Sequence, residues 1–199
     1  MKKSLVVCAG IAALALAACG GSASTSESTS AAPESSSAAP GVPWSTSDCT
    51  QIVPPTTTDA PPEGSVVEGE VSTTADVAIA PTVAVLQGAV PATSLVTADV
   101  VPGSGDEVAA GATVTVQYCG VGLASGAVFD SSWARGEPVS FPLSGVIQGW
   151  QDGIPGMKPG GRRILIIPGA AAYGPQPPPG SGIQPDETLI FVVDMISSP

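Results

Sequence analysis

The placement of aromatic residues restricts this chain more than any other feature. All three Phe, both Tyr and two of the three Trp lie beyond position 117, and only Trp44 falls outside that stretch. Aromatic side chains supply the largest buried areas in a core, so the dense core of this 199-residue chain is expected in its C-terminal half. The rest has little from which to build one. The unevenness favours one globular domain and a long non-globular remainder over two equal domains.

The first residues read as an export signal over residues 1–18. Lys2 and Lys3 form a positive start, and the apolar run Leu5 to Ala18 is too short to span a bilayer comfortably. The run ends in "LAAC", Leu16 to Cys19, which resembles the lipobox of bacterial lipoproteins, in which the cysteine is lipidated after cleavage. An ordinary signal peptide is the alternative, because small residues of the Ala-x-Ala kind are also present. Two or more acyl chains on Cys19 would anchor the protein stably to the membrane.

Residues 19–64 are dominated by Ser, Thr, Ala and Pro, as in "SASTSESTSAAPESSSAAPG". Such a composition cannot bury enough apolar surface to offset chain entropy, and a disordered tether is expected there. Residues 65–94 carry weak strand patterns. In "DVAIAPTVAVL", Val77, Ile79, Val83 and Val85 alternate, although Pro81 argues against a central strand. One or two short strands packed on a main domain at residues 95–199 are expected.

That C-terminal part is clearer. "TVTVQYC" sets Val114, Val116 and Tyr118 on one face and Thr115, Gln117 and Cys119 on the other; "TLIFVVDMI" groups Leu189, Phe191, Val193 and Met195. "RRILIIP" and "VSFPL" add strand candidates between Gly- and Pro-rich loops, and a single short helix fits Gln148 to Gly153. The expected class is α+β, an antiparallel sheet with one helix against it.

Several chemistries are excluded. The formal net charge is −11, with six basic residues, and loss of Lys2 and Lys3 would leave only Arg135, Lys158, Arg162 and Arg163. Nucleic acid is therefore not a partner. The chain has no His, so Ser-His-Asp and Cys-His systems are absent, and no metal site or cofactor is expected. Cys49 and Cys119 would remain as two thiols in an exported chain, where a disulfide can form. Unpaired thiols are the alternative; pairing is expected because Cys119 faces away from Tyr118.

Five segments, "VTVQYCG", "AVFDSSWARGEPVSFPL", "VIQGWQDGIPGMKPGGRRILIIP", "AAAYG" and "TLIFVVDM", come in an order and spacing that resembles the FKBP-type peptidyl-prolyl cis-trans isomerases. The form is similar to secreted lipoproteins of actinobacteria. The resemblance implies a curved antiparallel sheet wrapped around one short helix. It also implies a proline pocket whose catalytic residues are Tyr118, Phe129, Asp130 and Tyr173, with Val146, Ile147, Trp150, Ile183 and Phe191 binding substrate. Trp150 would be the floor, and the Ile147 N–H and Tyr173 hydroxyl would donate to substrate carbonyls.

On residue type alone, Trp150 and Phe191 read equally as core, and Asp130 as a turn residue. The implied partners are Xaa-Pro segments of exported polypeptides and, by family resemblance, macrolides; a monomer anchored outside the cytoplasmic membrane is expected. A non-catalytic proline-binding scaffold on the same fold is the other reading. It is motivated by Val139, where many members have an aromatic, and by the Pro-rich loop "GPQPPPGSGIQP".

Overall fold

The computed structural model describes residues 41–198. The expected signal peptide, Cys19 and residues 19–40 of the expected linker lie outside the described residues. Two antiparallel sheets make up the fold. The first contains β1 (Trp44–Asp48), β2 (Thr56–Thr58), β3 (Ser65–Glu68), β4 (Val71–Thr74) and β5 (Thr82–Leu86), in the order β2-β1-β5-β4-β3. The second contains β6 (Val96–Val101), β7 (Thr113–Gly122), β8 (Val128–Ser131), β9 (Val139–Pro142), β10 (Arg162–Ile167) and β11 (Leu189–Ser197). Its order is β6-β10-β11-β7-β8, with β9 pairing the N-terminal half of the long strand β7.

This first sheet corrects three expectations. The linker does not extend over residues 41–64, because β1 and β2 lie there. Its composition is polar, but β2 is all Thr and β1 carries another, and Thr is β-branched and suits a pleated, half-buried surface. Trp44 and Cys49 are buried and give that segment its anchors. The alternation at Val77 and Ile79 belongs to an exposed turn rather than a strand. Pro81 precedes β5 without interrupting it, so β5 takes the centre of the sheet after all.

β7, β10 and β11 are buried on both faces. On one face Val114, Val116, Leu165, Leu189, Phe191 and Val193 pack with Trp150 and Ile154. On the other, Cys119, Val121, Ile164, Ile190 and Val192 meet Val71, Val83 and Val85 of the first sheet. Strands covered on both sides read as continuous apolar runs, which is what "LIFVV" and "ILII" are. The Cys49–Cys119 disulfide crosses this interface and closes a sequence separation of 70 residues.

A buried cation crosses it as well. Arg162, fully buried, donates through Nε and Nη2 to the Asp194 carboxylate at 2.5 and 2.8 Å, and through Nη1 and Nη2 to the carbonyls of Thr74 and Ile79 at 2.8 and 2.9 Å. Every charge is thereby paired where water is excluded, the condition under which a buried ion pair persists. Burial pushes the Asp194 carboxyl above the usual carboxylate range, and the Arg162 guanidinium offsets only part of that rise.

Helix α2 (Gln148–Gly153) occupies the expected range. A second helix, α1 (Ser132–Arg135), was not expected; it is a single turn, capped by the Ser131 hydroxyl and ended by Gly136 at φ 79°. Gly149 explains how α2 lies so near the sheet: a Cβ there would fall 2.3 Å from Cγ2 of Ile167. The close approach seats Trp150 in the core cluster.

Candidate active site

The site forms on the helix side of the second sheet, and most of its geometry follows from β8. β7 and β8 pair Gly120 with Asp130 and Val121 with Val128, with a register shift that leaves Phe129 as the extra residue. Neighbouring residues of a regular strand point to opposite faces, and a bulge re-aims one of them. Phe129 and Asp130 therefore both line the same cavity. Gly120 makes room beneath them, since a Cβ there would lie 2.6 Å from Cζ of Phe129 and 2.9 Å from Cε1 of Phe191.

The cavity has a volume of about 320 Å³. Trp150, only 4% exposed, packs edge-on against Phe191 with centroids 5.1 Å apart and against Tyr118 at 5.4 Å. Phe129 meets Phe191 edge-on at 5.5 Å. T-shaped contacts of this kind add to simple area burial. The result is a fixed aromatic cup whose walls continue through Val146, Ile147 and Tyr173.

One rim is charged. The Tyr118 hydroxyl donates to Asp130 Oδ2 at 2.5 Å, Arg135 Nη1 donates to Asp130 Oδ1, and Arg135 Nη2 donates to the Tyr118 oxygen at 2.8 Å. The guanidinium carbon also lies 5.5 Å from the Tyr118 ring centroid. Burial, followed by the hydrogen bond to Asp130, pushes the Tyr118 phenol up to about 12.

The segment "DSSWAR" builds this rim locally. The Ser131 hydroxyl donates to the Cys49 carbonyl at 2.6 Å and accepts from the Ala134 N–H at 3.2 Å. The Ser132 hydroxyl accepts the Tyr118 N–H at 2.7 Å and donates to Gln117 Oε1. Asp130 is thus followed by two hydroxyls that fix its strand to β7 and to the first sheet.

Two donors are left free. Among the described residues, neither the Ile147 N–H nor the Tyr173 hydroxyl has a hydrogen-bond partner. Tyr173 is 37% exposed and lines the cavity, with its phenol pushed up by burial and then by the Asp130 charge. A protonated phenol and a backbone amide at the mouth of an apolar cup can each hold a carbonyl oxygen.

The structure brings Tyr118, Phe129, Asp130, Val146, Ile147, Trp150, Tyr173 and Phe191 together around the cavity. Ile183 does not join them. It is buried in the core cluster that supports the cup, where its loop folds inward. Val139, singled out in the sequence, lines the cavity too, and two further lining residues escaped sequence reasoning, Phe141 and Gly145. Phe141 lies two residues beyond Val139 on the same face of β9 and packs on Trp150 with centroids 5.3 Å apart. It supplies an aromatic wall beside Val139, the position where many family members carry the aromatic, and strand alternation was the available signal. Arg135 was missed because its role depends on the turn of α1.

These features match known proteins. A family model described as FKBP-type peptidyl-prolyl cis-trans isomerase matches residues 105–196. A probable FK506-binding protein of Corynebacterium glutamicum is 52% identical over 105 residues, which cover 52% of this chain and 86% of that protein. This chain belongs to the FKBP family. An FK506-binding protein of Streptomyces anulatus is 47% identical over 112 residues, covering 55% of this chain and 90% of that protein. The crystal structure of FkpA from Escherichia coli aligns with a TM-score of 0.50 at 41% identity, covering 56% of this chain and 51% of that one. The present FKBP is accordingly a peptidyl-prolyl cis-trans isomerase. Its curved antiparallel sheet and central short helix are the family's architecture.

Isomerisation suits the chemistry of the cup. A peptide bond is held planar by resonance worth roughly 18–20 kcal/mol of rotational barrier. Resonance is lost in the twisted transition state, so a site that favours the twisted form needs no base, nucleophile or metal. Fixed donors and dipoles in a water-poor cavity are sufficient in kind.

Proposed function

We propose that this FKBP isomerises Xaa-Pro bonds of exported polypeptides, assisting their folding while it is lipid-anchored through Cys19 at the outer face of the cytoplasmic membrane. The observation that carries this reading is the Cys49–Cys119 disulfide, buried at the interface of the two sheets. Such bonds persist in oxidising compartments, and the export signal and "LAAC" point to the same location.

In this reading the prolyl ring rests on Trp150 between Phe129, Phe191 and Tyr118. The Ile147 N–H and Tyr173 hydroxyl hold substrate carbonyls, and the Asp130 carboxylate, aligned by Tyr118 and Arg135, faces the carbonyl carbon as it loses electron donation from nitrogen. A macrolide of the FK506 class would occupy the same cup and compete with peptide. Both relatives above are named for that ligand.

Exchange NMR on an Xaa-Pro peptide tests the site. Phe129→Ala and Asp130→Val variants are expected to lose about tenfold or more in rate, the equivalent of one lost transition-state contact. Unchanged rates in both would end the assignment. Localisation is tested separately: Cys19→Ala should release the protein from the membrane fraction and abolish labelling by a fatty-acid probe. Retention in that fraction would rule out the anchor.

A further inference from the structure

A second cavity, of about 250 Å³, adjoins the prolyl cup and shares Phe129 with it. Ala127, Val128 and Phe129 contribute its apolar part, while Gly180, Ser181 and Gly182 leave one side without large side chains. Its remaining apolar wall comes from outside the FKBP-matched segment: Ile52, in the loop between β1 and β2, 57% exposed. That loop is held firmly. Cys49 is disulfide-bonded to β7, and the Asp48 carboxylate accepts both the N–H and the hydroxyl of Thr50 at 2.8 Å.

The polar wall is already occupied. Glu187, buried, accepts the Ala124 N–H at 3.2 Å and the Gln184 N–H at 2.8 Å, stapling the two loops that border the cavity. The Ser125 and Ser181 hydroxyls of the same lining accept the Ala127 and Ile183 N–H groups at 3.1 and 3.3 Å, so the polar lining is tied into its own loops and aliphatic contact carries recognition. Successive Cα atoms are about 3.8 Å apart, so a proline seated against Phe129 places its immediate neighbour within reach of the second cavity.

We infer that this cavity is a specificity subsite for a bulky aliphatic side chain adjacent to the client's proline, and that the N-terminal sheet, through Ile52, sets the preference. The inference rests on the reading of the Phe129-lined cup as the prolyl site. Its consequence is that client choice depends on a residue contributed by the extension rather than by the FKBP fold.

The test uses two peptide pairs, one with Leu or Ala immediately before the proline and one with Leu or Ala immediately after it. Wild type should favour Leu over Ala in one pair, and Ile52→Ser should lower kcat/KM for that Leu peptide by roughly threefold to tenfold while leaving its Ala partner unchanged. Ile52→Leu should retain the preference, and Ile79→Ser, equally exposed on the same sheet but away from the cavity, should have no effect. If Ile52→Ser leaves the Leu-to-Ala ratio unaltered in both pairs, or lowers all four peptides alike, the subsite is refuted. Phe129→Ala distinguishes the two levels: full activity on the Ala peptides would overturn the prolyl-site reading itself.

Discussion

Gly120→Ala probes the site from beneath. Its added methyl would sit 2.6 Å from Cζ and 2.9 Å from Cε2 of Phe129, and 2.9 Å from Cε1 of Phe191. Carbon atoms in favourable contact stand about 3.5–4.0 Å apart, so a ring must retreat by about 1 Å. Phe191 is 4% exposed and locked between strands, whereas Phe129 is half-buried on a bulge; Phe129 is the ring that yields.

Overpacking of this kind costs about 1–3 kcal/mol, and replacing a strand glycine offsets about 0.5–1 kcal/mol. The net loss of stability therefore lies between about 0 and 2.5 kcal/mol, a fall in melting temperature of at most about 10 °C for a chain of this size. The rate should suffer more, because a displacement of about 1 Å at a positioning group costs up to about 100-fold. Peptide exchange NMR beside thermal unfolding measures both. Gly145→Ala is the control: it also lines the cavity, but its methyl would meet only Pro142 Cγ, at 3.8 Å, and should be nearly silent. A folded Gly120→Ala protein with kcat/KM within about twofold of wild type would refute the packing argument.

Three other perturbations have defined outcomes. Arg162→Met leaves Asp194 buried without its partner and should cost about 3–5 kcal/mol in urea unfolding; adding Asp194→Leu should recover much of that, and a single-variant loss below about 1 kcal/mol would contradict the clamp. Reducing the Cys49–Cys119 bond, which closes a separation of 70 residues, should lower stability by about 4 kcal/mol on the loop-entropy model, read as a shift of the urea midpoint; coincident curves with and without reductant would exclude it. Both tyrosines have raised folded-state pKa values, Tyr118 to about 12. The stability contributed by Tyr118 should be complete below its unfolded value of about 10 and vanish as pH rises through about 12. Tyrosinate absorbance of the folded protein should therefore appear well above the unfolded midpoint, and a folded-state midpoint near 10 would count against the buried Tyr118–Asp130 contact.

Much of the second sheet was legible because its strands alternate or run apolar, and because eight of its site positions sit in short segments with fixed spacing. The extra residue at Phe129 was not, since a register shift depends on the pairing strand and leaves no local mark. Residues 41–64 resemble a tether because Ser, Thr and Pro dominate them, yet strands need β-branched residues and a surface to cover as much as they need hydrophobicity. That surface was announced elsewhere, in the doubly apolar runs "LIFVV" and "ILII". A strand apolar on both faces requires a layer on each side. One side is covered by α2, and for the other the sequence offers only the weak strand patterns of residues 65–94.

The same double burial explains why the site can be rigid without a large core of its own. Asp130 and Phe129 lie on β8, a four-residue edge strand that pairs with β7 at only a few positions. Short edge strands open locally at low cost. Here the back of that strand is secured by the first sheet: Ser47 donates to the Gly126 carbonyl at 2.7 Å, Ser131 to the Cys49 carbonyl at 2.6 Å, and Cys49 is bonded to Cys119 opposite Ser131. Catalysis by preorganised dipoles depends on those dipoles not relaxing as the substrate twists. The first sheet therefore acts on the reaction from the face that substrate never touches, by holding the carboxylate and the ring in the positions from which the twisted amide is favoured.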